Sequence, residues 1–273
     1  TLSLLRPAGA REGGVAPEAP PVTPVIVARV LAEKRRLPLD IVTETLDTGI
    51  GSRLLALEGF LRERVLGQEE AIARVSRRLR LAFASPQGRR GPVAVLLFLG
   101  PSGVGKTETA RLLAEHVFGS ASGMIRIDMS ELMEEHSVSK LIGSPPGYVG
   151  HEDEGQLTGA IRTKPHALLL LDEVEKAHPR VLDLFLQLFD EGRLVDSKGR
   201  LADGRHLVVV MTSNLGVAAR PAPGFVAPGP NDSYVGAPDL RGVFRLELVN
   251  RIDEIVTFRA LDADDVEMIV GRA

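Results

Sequence analysis

A glycine-rich segment between two hydrophobic patterns carries the strongest chemical signal in this sequence. Residues 100–107 read GPSGVGKT, after the apolar run 93–99 and before a helix-like segment at 108–117. The glycines let successive backbone N–H groups approach phosphate oxygens, and the following helix points its positive dipole end at them. Lys106 is suited to reach the β- and γ-phosphates of a nucleotide, and the Thr107 hydroxyl is suited to ligate Mg²⁺. The predicted nucleotide-binding residues of this loop are Gly100, Pro101, Ser102, Gly103, Val104, Gly105, Lys106 and Thr107.

Two adjacent carboxylates follow a second apolar run. The run 167–171 is typical of a strand buried on both faces, and it ends in Asp172 and Glu173. Neighbouring side chains of a strand point to opposite faces, so one carboxylate can face a metal and the other an attacking water. We therefore assign Asp172 to the Mg²⁺ shell and Glu173 to polarising water for attack on the γ-phosphate. A third strand-like run, 206–211, leads to Asn214, whose amide is suited to hold that water.

These chemical residues sit between elements of alternating type. Helical patterns at 69–83, 154–162 and 179–190 alternate with strand patterns at 93–99 and 124–129. Such alternation indicates an α/β fold with a parallel sheet, helices on both faces, and ligands bound at the carboxyl ends of the strands. The residues assigned so far follow such strand ends, which predicts one common site.

Composition excludes several other classes of protein. The chain has 273 residues, a formal net charge of −3 and no cysteine. The acidic balance argues against nucleic acid held by bulk electrostatics. Without cysteine there are no disulfides or thiolate metal sites, which is compatible with a reducing cytoplasm. No apolar run approaches the length of a membrane span. We therefore expect a cytoplasmic protein with neither a nucleic-acid partner nor a membrane partner.

Prolines cluster in two stretches of the chain, at 7–24 and at 221–238. The first lies in a segment rich in alanine, glycine and proline that cannot bury enough apolar surface to order itself, which predicts a linker. The second lies within 216–239 and interrupts a globular pattern, which predicts a long exposed loop. Because the sequence begins at Thr1 and not at Met, we expect an excised segment of a longer protein.

Taken together in chain order, these motifs resemble a known family. GPSGVGKT, IRIDMSELMEEHSVSKLIGSPPGYVG, LLLLDEVEKAHP and VVVMTSNLG are similar to the motifs of AAA+ ATPases of the Clp/heat-shock unfoldase and disaggregase class. The second ATPase module of ClpB-, ClpC- and ClpA-like proteins is the most similar, and the resemblance covers about 64–261. It implies a P-loop NTPase fold with ATP and Mg²⁺ as cofactors. It also implies a ring, usually a hexamer, that threads unfolded or aggregated polypeptide through a central pore.

The resemblance assigns roles to five further residues. Tyr148 and Val149 match the family's pore loop, where one aromatic between glycines grips an extended chain. Arg251 matches the arginine finger, which reaches the ATP of a neighbouring subunit and acts with Glu173 and Asn214 in hydrolysis. Val65 and Leu66 match the segment beside the adenine base.

Other parts of the resemblance leave alternatives open. Residues 190–196 resemble a second pore element, and a β-hairpin turn accounts for them equally well. Residues 223–225 read PGF, with proline where protease-coupled members carry an aliphatic residue, so a partner peptidase is only weakly indicated. The helical pattern at 262–271 resembles the start of the family's small helical lid. The expected organisation is a linker and entry segment at 1–45, a large AAA+ subdomain at 46–260 and the truncated start of the lid at 261–273.

Three other functions compete with a protein-unfolding motor. One is the type VI secretion sheath-disassembly ATPase of the same superfamily, although the Asn-Arg-Ile-Asp segment at 250–253 is more similar to the disaggregase group. Another is an AAA+ motor acting on nucleic acid, which the acidic balance and the SPPGYVG segment disfavour. The last is a nucleotide-binding scaffold that no longer hydrolyses ATP, which the presence of Glu173, Asn214 and Arg251 disfavours.

Overall fold

The computed structural model describes five stretches of the chain, which are residues 50–84, 90–119, 123–144, 154–215 and 244–271. The predicted linker at 1–45 and the predicted exposed loop at 216–239 lie outside the described residues. Tyr148, Val149 and the PGF segment also lie outside them.

Five parallel strands form the central sheet. The strands of the described residues are β1 (Ala94–Leu99), β2 (Met124–Asp128), β3 (Leu168–Asp172), β4 (Arg193–Val195), β5 (Leu201–Asp203), β6 (Val208–Ser213) and β7 (Glu254–Thr257). The sheet has the order β2-β3-β6-β1-β7, and each pairing in it is parallel. Strands β1, β3 and β6 are buried along their whole length, as expected of mostly apolar strands covered on both faces. The predicted α/β class is confirmed.

Helices with local start and stop signals connect these strands. They are α1 (Ile50–Arg62), α2 (Glu69–Ala84), α3 (Lys106–Phe118), α4 (Val138–Ile142), α5 (Gln156–Thr163), α6 (Pro179–Glu191), α7 (Leu246–Val249) and α8 (Ala263–Val270). The start of α6 is stabilised because the His178 side chain accepts a hydrogen bond from the backbone N–H of Arg180. Proline at the first turn and left-handed Gly192 at the end complete its boundaries.

Two apolar cores lie on opposite faces of the sheet. One contains Leu97 and Leu169 of the sheet together with Phe185 of α6 and residues of α5. The other contains Phe98 and residues of α1, α2 and α3. Because successive strand residues face opposite sides, Leu97 and Phe98 of β1 contribute to different cores. Both faces are therefore covered by helices, which fixes the sheet as the rigid support of its loops.

Strands β4 and β5 form an antiparallel hairpin directly after α6. Its turn is built around Asp196, which is only 5% exposed and accepts hydrogen bonds from the backbone N–H groups of Lys198 and Arg200. The same carboxylate accepts a 3.0 Å bond from Arg162 of α5. Residues 193–203 thus form a β-hairpin. The pore role suggested for 190–196 stays a prediction.

The last described helix, α8, begins with reciprocal capping. Asp262 accepts from the backbone N–H of Asp265, and Asp265 accepts from that of Asp262. Arg259 adds an ion pair to Asp265 at 2.6 Å. Across the described stretches, none of the helices combines the length and the apolarity needed to cross a bilayer.

Two stacked histidines at the amino ends of β3 and β6 make stability depend on pH. The rings of His166 and His206 lie 4.5 Å apart, and burial together with the charge of His206 lowers the pKa of His166 to about 4, against the opposing effect of Asp203. Between pH 6.5 and 4 the unfolded chain therefore binds a proton at His166 that the folded chain does not, so stability falls as the pH falls. Allowing for partial exposure, we expect His166 to contribute about 1 kcal/mol of destabilisation between pH 7 and pH 5.

The measurement is the free energy of unfolding at pH 7 and pH 5, by denaturant titration. His166→Phe keeps an aromatic ring but cannot bind a proton, so its loss of stability between the two pH values should be smaller than that of the parent. The exposed His136 provides the control, and His136→Phe should behave as the parent does. Equal pH dependence in the parent and in His166→Phe would contradict the prediction.

Candidate active site

The carboxyl ends of β1, β3 and β6 meet at one edge of the sheet and surround an open cavity of ≈ 430 Å³. Strand β2 closes one side of this cavity, and the amino end of α3 closes another. The lining residues are Ser102, Gly103, Gly105, Lys106, Thr107, Glu108, Arg126, Asp128, Asp172, Glu173, Thr212 and Asn214. This is the position at which parallel α/β sheets bind ligands.

The loop between β1 and α3 has a backbone that only glycine adopts easily. Gly100 has φ +149°, and a Cβ added there would lie 2.4 Å from the carbonyl oxygen of Phe258. Gly105 has φ +99° and directly precedes α3, whose first residue is Lys106. The loop can therefore pass close to β7 and turn into the helix without steric conflict. Its backbone and the positive end of the helix dipole suit a phosphate group.

Lys106 is held at the loop by three hydrogen bonds. Its Nζ donates to the carbonyl oxygens of Gly100 and Pro101, both at 2.6 Å, and to Oδ1 of Asn214 at 3.0 Å. Burial lowers the pKa of Lys106, and the carboxylates of Glu175, Asp172 and Glu173 oppose this effect. The side chain is only 7% exposed, so its position is fixed by these contacts. A buried cation beside a phosphate-type loop is suited to contact a nucleotide.

Asp172 lies at the centre of a set of oxygen and nitrogen donors. Its Oδ1 accepts from the hydroxyls of Thr107 at 3.2 Å and Thr212 at 2.5 Å. Its Oδ2 accepts from Arg126 at 2.7 Å. A hydroxyl and a carboxylate side by side are the kind of oxygen ligands that Mg²⁺ takes when it also binds phosphates. The chemistry of Thr107 and Asp172 therefore fits the predicted metal.

Glu173 does not continue the strand, and this corrects one part of the sequence prediction. Strand β3 ends at Asp172, and Glu173 has φ 56° and ψ 51°, the one positive φ among described residues other than glycine. The carboxylates are thus separated by a left-handed turn and not by strand alternation. Such a conformation costs on the order of 1 kcal/mol and often occurs at functional sites. The Thr212 hydroxyl supports it by accepting from the Glu173 backbone N–H at 3.0 Å.

Asn214 joins the two sides of the cavity. Its Oδ1 accepts from Lys106, and its Nδ2 donates to Oε1 of Glu173 at 3.4 Å. Its own backbone N–H donates to Glu175 at 3.1 Å. The side chain is thereby placed between the phosphate loop and Glu173.

The segment before α2 lies against the phosphate loop. Val65 is 6% exposed, and a Cβ on Gly105 would lie 3.5 Å from its Cγ1. Leu66 follows and is partly buried. Gln68 is 2% exposed and donates to the carbonyl oxygens of Val104 at 3.3 Å and Arg259 at 2.9 Å, while the Arg259 N–H donates back to it at 3.0 Å. Gln68 thus fastens the phosphate loop to the chain that follows β7.

Comparison with known proteins decides the family. The AAA domain (Cdc48 subfamily) matches residues 91–255. The chain belongs to this family. Its membership confirms the predicted P-loop NTPase fold, since the matched residues include all four strand ends that surround the cavity.

Curated relatives of this AAA domain are Clp proteins. The chain is 43% identical over 262 residues to Chaperone protein ClpC3, chloroplastic, of Oryza sativa subsp. japonica, covering 92% of this chain and 28% of that protein. It is 44% identical over 252 residues to the ATP-dependent Clp protease ATP-binding subunit ClpC of Staphylococcus saprophyticus, covering 89% of this chain and 30% of that protein. The predicted resemblance to the Clp class is confirmed. The chain spans less than a third of the length of these relatives.

Arg251 of the AAA domain lies away from the cavity. It precedes β7, at the amino ends of the strands, whereas the phosphate loop follows the carboxyl end of β1. The length of β7, about 13 Å at the usual rise per residue, separates the two edges. The Arg251 side chain is 51% exposed and forms an ion pair with Asp190 near the end of α6. The structure therefore does not bring Arg251 together with Glu173 and Asn214 within one chain.

Four polar residues that line the AAA cavity had no site role in the sequence analysis: Glu108, Arg126, Asp128 and Thr212. Glu175, which accepts from the Asn214 backbone N–H, also had none. Arg126 and Asp128 belong to β2, whose residues Ile125 and Ile127 are buried while Arg126 is exposed. The sequence IRID at 125–128 shows this alternation of apolar and charged residues. It puts the basic and the acidic side chain on the same face of the strand. Thr212 and Glu175 contact Asp172, Glu173 and Asn214, and no spacing rule indicated those contacts.

Proposed function

We propose that this AAA domain binds ATP with Mg²⁺ and hydrolyses the γ-phosphate bond. The observation that carries the proposal is the convergence of Lys106, Asp172, Glu173 and Asn214 on one cavity beside a glycine loop at a helix amino end. These residue types are those that phosphoryl-transfer sites use for phosphate binding, metal binding and orientation of water. The curated relatives carry "ATP-binding" and "chaperone" in their names, which supports the same conclusion.

Each residue of the candidate site has a separate task in this proposal. The loop 100–107 binds the phosphates through its backbone N–H groups, with the Lys106 ammonium on the β- and γ-phosphates. Thr107 and Asp172 hold Mg²⁺, which when bound neutralises charge on the phosphate oxygens. Glu173 accepts the proton of the attacking water, while the Asn214 amide orients that water. Val65 and Leu66 pack against the adenine base.

We further propose that the active enzyme is a ring of identical subunits, usually six in the Clp class. The position of Arg251 supports this, because a residue at the amino ends of the strands cannot reach the phosphates of its own chain. In the proposed ring, the exposed Arg251 guanidinium leaves its ion pair with Asp190 and enters the site of a neighbour, as arginine fingers in trans do. Hydrolysis would then depend on assembly.

The work proposed for the ring is threading of unfolded or aggregated protein. Support comes from relatives named as a chaperone and as the ATP-binding subunit of a protease, over about nine-tenths of this chain. These relatives favour a motor that acts on protein over a motor that acts on nucleic acid. They also favour it over the type VI secretion ATPase. Tyr148 and Val149 are the proposed pore-loop residues. A peptidase partner is proposed more weakly: the relative named as a protease subunit supports it, whereas the proline of the PGF segment weakens it.

Substitution of Tyr148 tests the threading proposal. Tyr148→Ala should leave ATP hydrolysis within about twofold of the parent, because the residue has no assigned contact with nucleotide. Unfolding of a tagged model protein should fall on the order of tenfold or more, since each subunit loses an aromatic grip of about 1 kcal/mol. ATPase rate and loss of substrate fluorescence are measured together on the full-length protein.

The chain contains its own matched control for this experiment. Tyr234 is the other tyrosine and is also followed by Val-Gly, so Tyr234→Ala should retain unfolding. Lys106→Ala, which removes the phosphate-binding ammonium, should lose both activities and provides the baseline. Unchanged unfolding by Tyr148→Ala would contradict the assignment of the pore loop, and a joint loss of hydrolysis and unfolding would place Tyr148 in the ATPase site instead.

A further inference from the structure

Arg126 is a cation of the cavity that the proposed reaction does not use. It lies on β2, the strand at the edge of the sheet, and its side chain is 52% exposed. Its guanidinium is nevertheless not free, because Nη2 lies 2.7 Å from Oδ2 of Asp172. An exposed arginine is therefore paired with the carboxylate proposed to ligate Mg²⁺.

The two oxygens of Asp172 are already engaged by protein donors. Oδ1 accepts from the hydroxyls of Thr107 and Thr212, and Oδ2 accepts from Arg126. A magnesium ion bound to the Asp172 carboxylate would lie close to the Arg126 guanidinium that is bound to the same carboxylate. Two cations that share one carboxylate repel each other. The hydroxyl donors carry no net charge and can remain. Arg126 is thus the partner that metal ligation displaces.

The charges of the cavity determine where the displaced guanidinium goes. Four carboxylates line the cavity, against the two cations Lys106 and Arg126. Glu108 is already paired with Arg111 at 2.6 Å, and Asp128 accepts from the Ser130 hydroxyl at 2.6 Å. A triphosphate adds further negative charge to this lining. A guanidinium that leaves Asp172 while remaining in the cavity finds its strongest acceptor in the phosphate oxygens, which its planar fork matches.

We propose that Arg126 exchanges partners. It pairs with Asp172 when that carboxylate does not hold Mg²⁺, and it binds the terminal phosphate of ATP when Asp172 holds Mg²⁺. This rests on the proposed function of the cavity. The exchange makes Arg126 a residue that distinguishes ATP from ADP within one chain. This role differs from that of Arg251, which precedes β7 at the amino ends of the strands.

The test is equilibrium binding of fluorescent ADP and of a non-hydrolysable ATP analogue to the full chain, each titrated with Mg²⁺. Arg126→Met removes the competitor for Asp172, so the Mg²⁺ concentration for half-maximal ADP binding should fall about threefold or more. The same variant should lower the affinity ratio of the ATP analogue to ADP by about tenfold, because a charged phosphate contact is lost. Arg126→Gln, which suits an exposed position, should shift both quantities in the same direction.

Arg111→Met is the matched control, because it removes an exposed cation near the cavity that contacts Glu108 and Glu115 but not Asp172. It should leave both quantities within about twofold of the parent. An unchanged Mg²⁺ midpoint or an unchanged affinity ratio in Arg126→Met and Arg126→Gln would overturn the exchange, as would equal shifts in Arg111→Met. If the parent binds nucleotide and the Arg126 variants match it in Mg²⁺ midpoint and affinity ratio, only the role of Arg126 is overturned. A parent that binds no nucleotide overturns the proposed function as well.

Discussion

Replacement of Arg251 by alanine is expected to lower ATP hydrolysis by the assembled ring on the order of 10³-fold or more, as loss of an arginine finger generally does. The reason is positional, since Arg251 lies at the amino ends of the strands and is proposed to act on the γ-phosphate of a neighbouring subunit. Nucleotide binding by the variant should remain within a few-fold of the parent, because Lys106 and the phosphate loop are unchanged. Steady-state ATPase rate and nucleotide affinity are measured on the same preparation.

Arg245 offers a matched control for this experiment. It is also exposed and also pairs with a carboxylate of α6, Asp183, at 2.6 Å. Arg245→Ala should hydrolyse ATP at nearly the parent rate, since surface ion pairs contribute little to stability. Mixing provides a second check: catalytically silent subunits that carry Arg251 should restore hydrolysis to neighbours that lack it. Normal hydrolysis by rings made only of Arg251→Ala subunits would place the finger elsewhere.

Glu173→Gln is expected to slow hydrolysis by about 10² to 10⁴-fold while ATP still binds, because the amide cannot accept a proton from water as the carboxylate does. The substitution keeps the size of the side chain and the oxygen that accepts from Asn214 at 3.4 Å. It also keeps the backbone bond from Glu173 to the Thr212 hydroxyl. The measurement is single-turnover hydrolysis with binding followed in parallel.

Glu115 on α3 is the control carboxylate, since it is exposed and forms an ion pair with Arg111. Glu115→Gln should show parent rates. If turnover of Glu173→Gln stayed within about twofold of the parent, which corresponds to about 0.4 kcal/mol of barrier, another group would have to accept the proton.

Much of the fold could be predicted from the sequence because the strands are continuous apolar runs and the loops carry glycine. The run at 93–99 begins one residue before β1, and the run at 167–171 is shifted by one residue from β3. The run at 206–211 begins two residues before β6, because Leu207 closes a turn with Gly204 before Val208 pairs with Ala94. Pairing across the sheet, and not local composition, sets that boundary.

The candidate site was less predictable where geometry departs from regular elements. Strand alternation suggested how Asp172 and Glu173 diverge, whereas the structure separates them by a left-handed turn at Glu173. Nothing in the residue type indicates such a turn, because glutamate rarely adopts it. The contacts of Arg126 and Thr212 with Asp172 depend on which strands are neighbours in the sheet. Strand order β2-β3-β6 is a tertiary property that spacing along the chain does not contain.

The clamp formed by Gln68 has a mechanical consequence. One buried amide holds the backbone of the phosphate loop at Val104 and the backbone at Arg259, and Arg259 in turn holds the first turn of α8 through Asp265. The side chains of Gln68, Arg259 and Asp265 therefore connect α8 to the phosphate loop without passing through the sheet. A change in the position of Val104 is therefore felt directly at Arg259 and at the first turn of α8, because one buried amide and one ion pair join all three places.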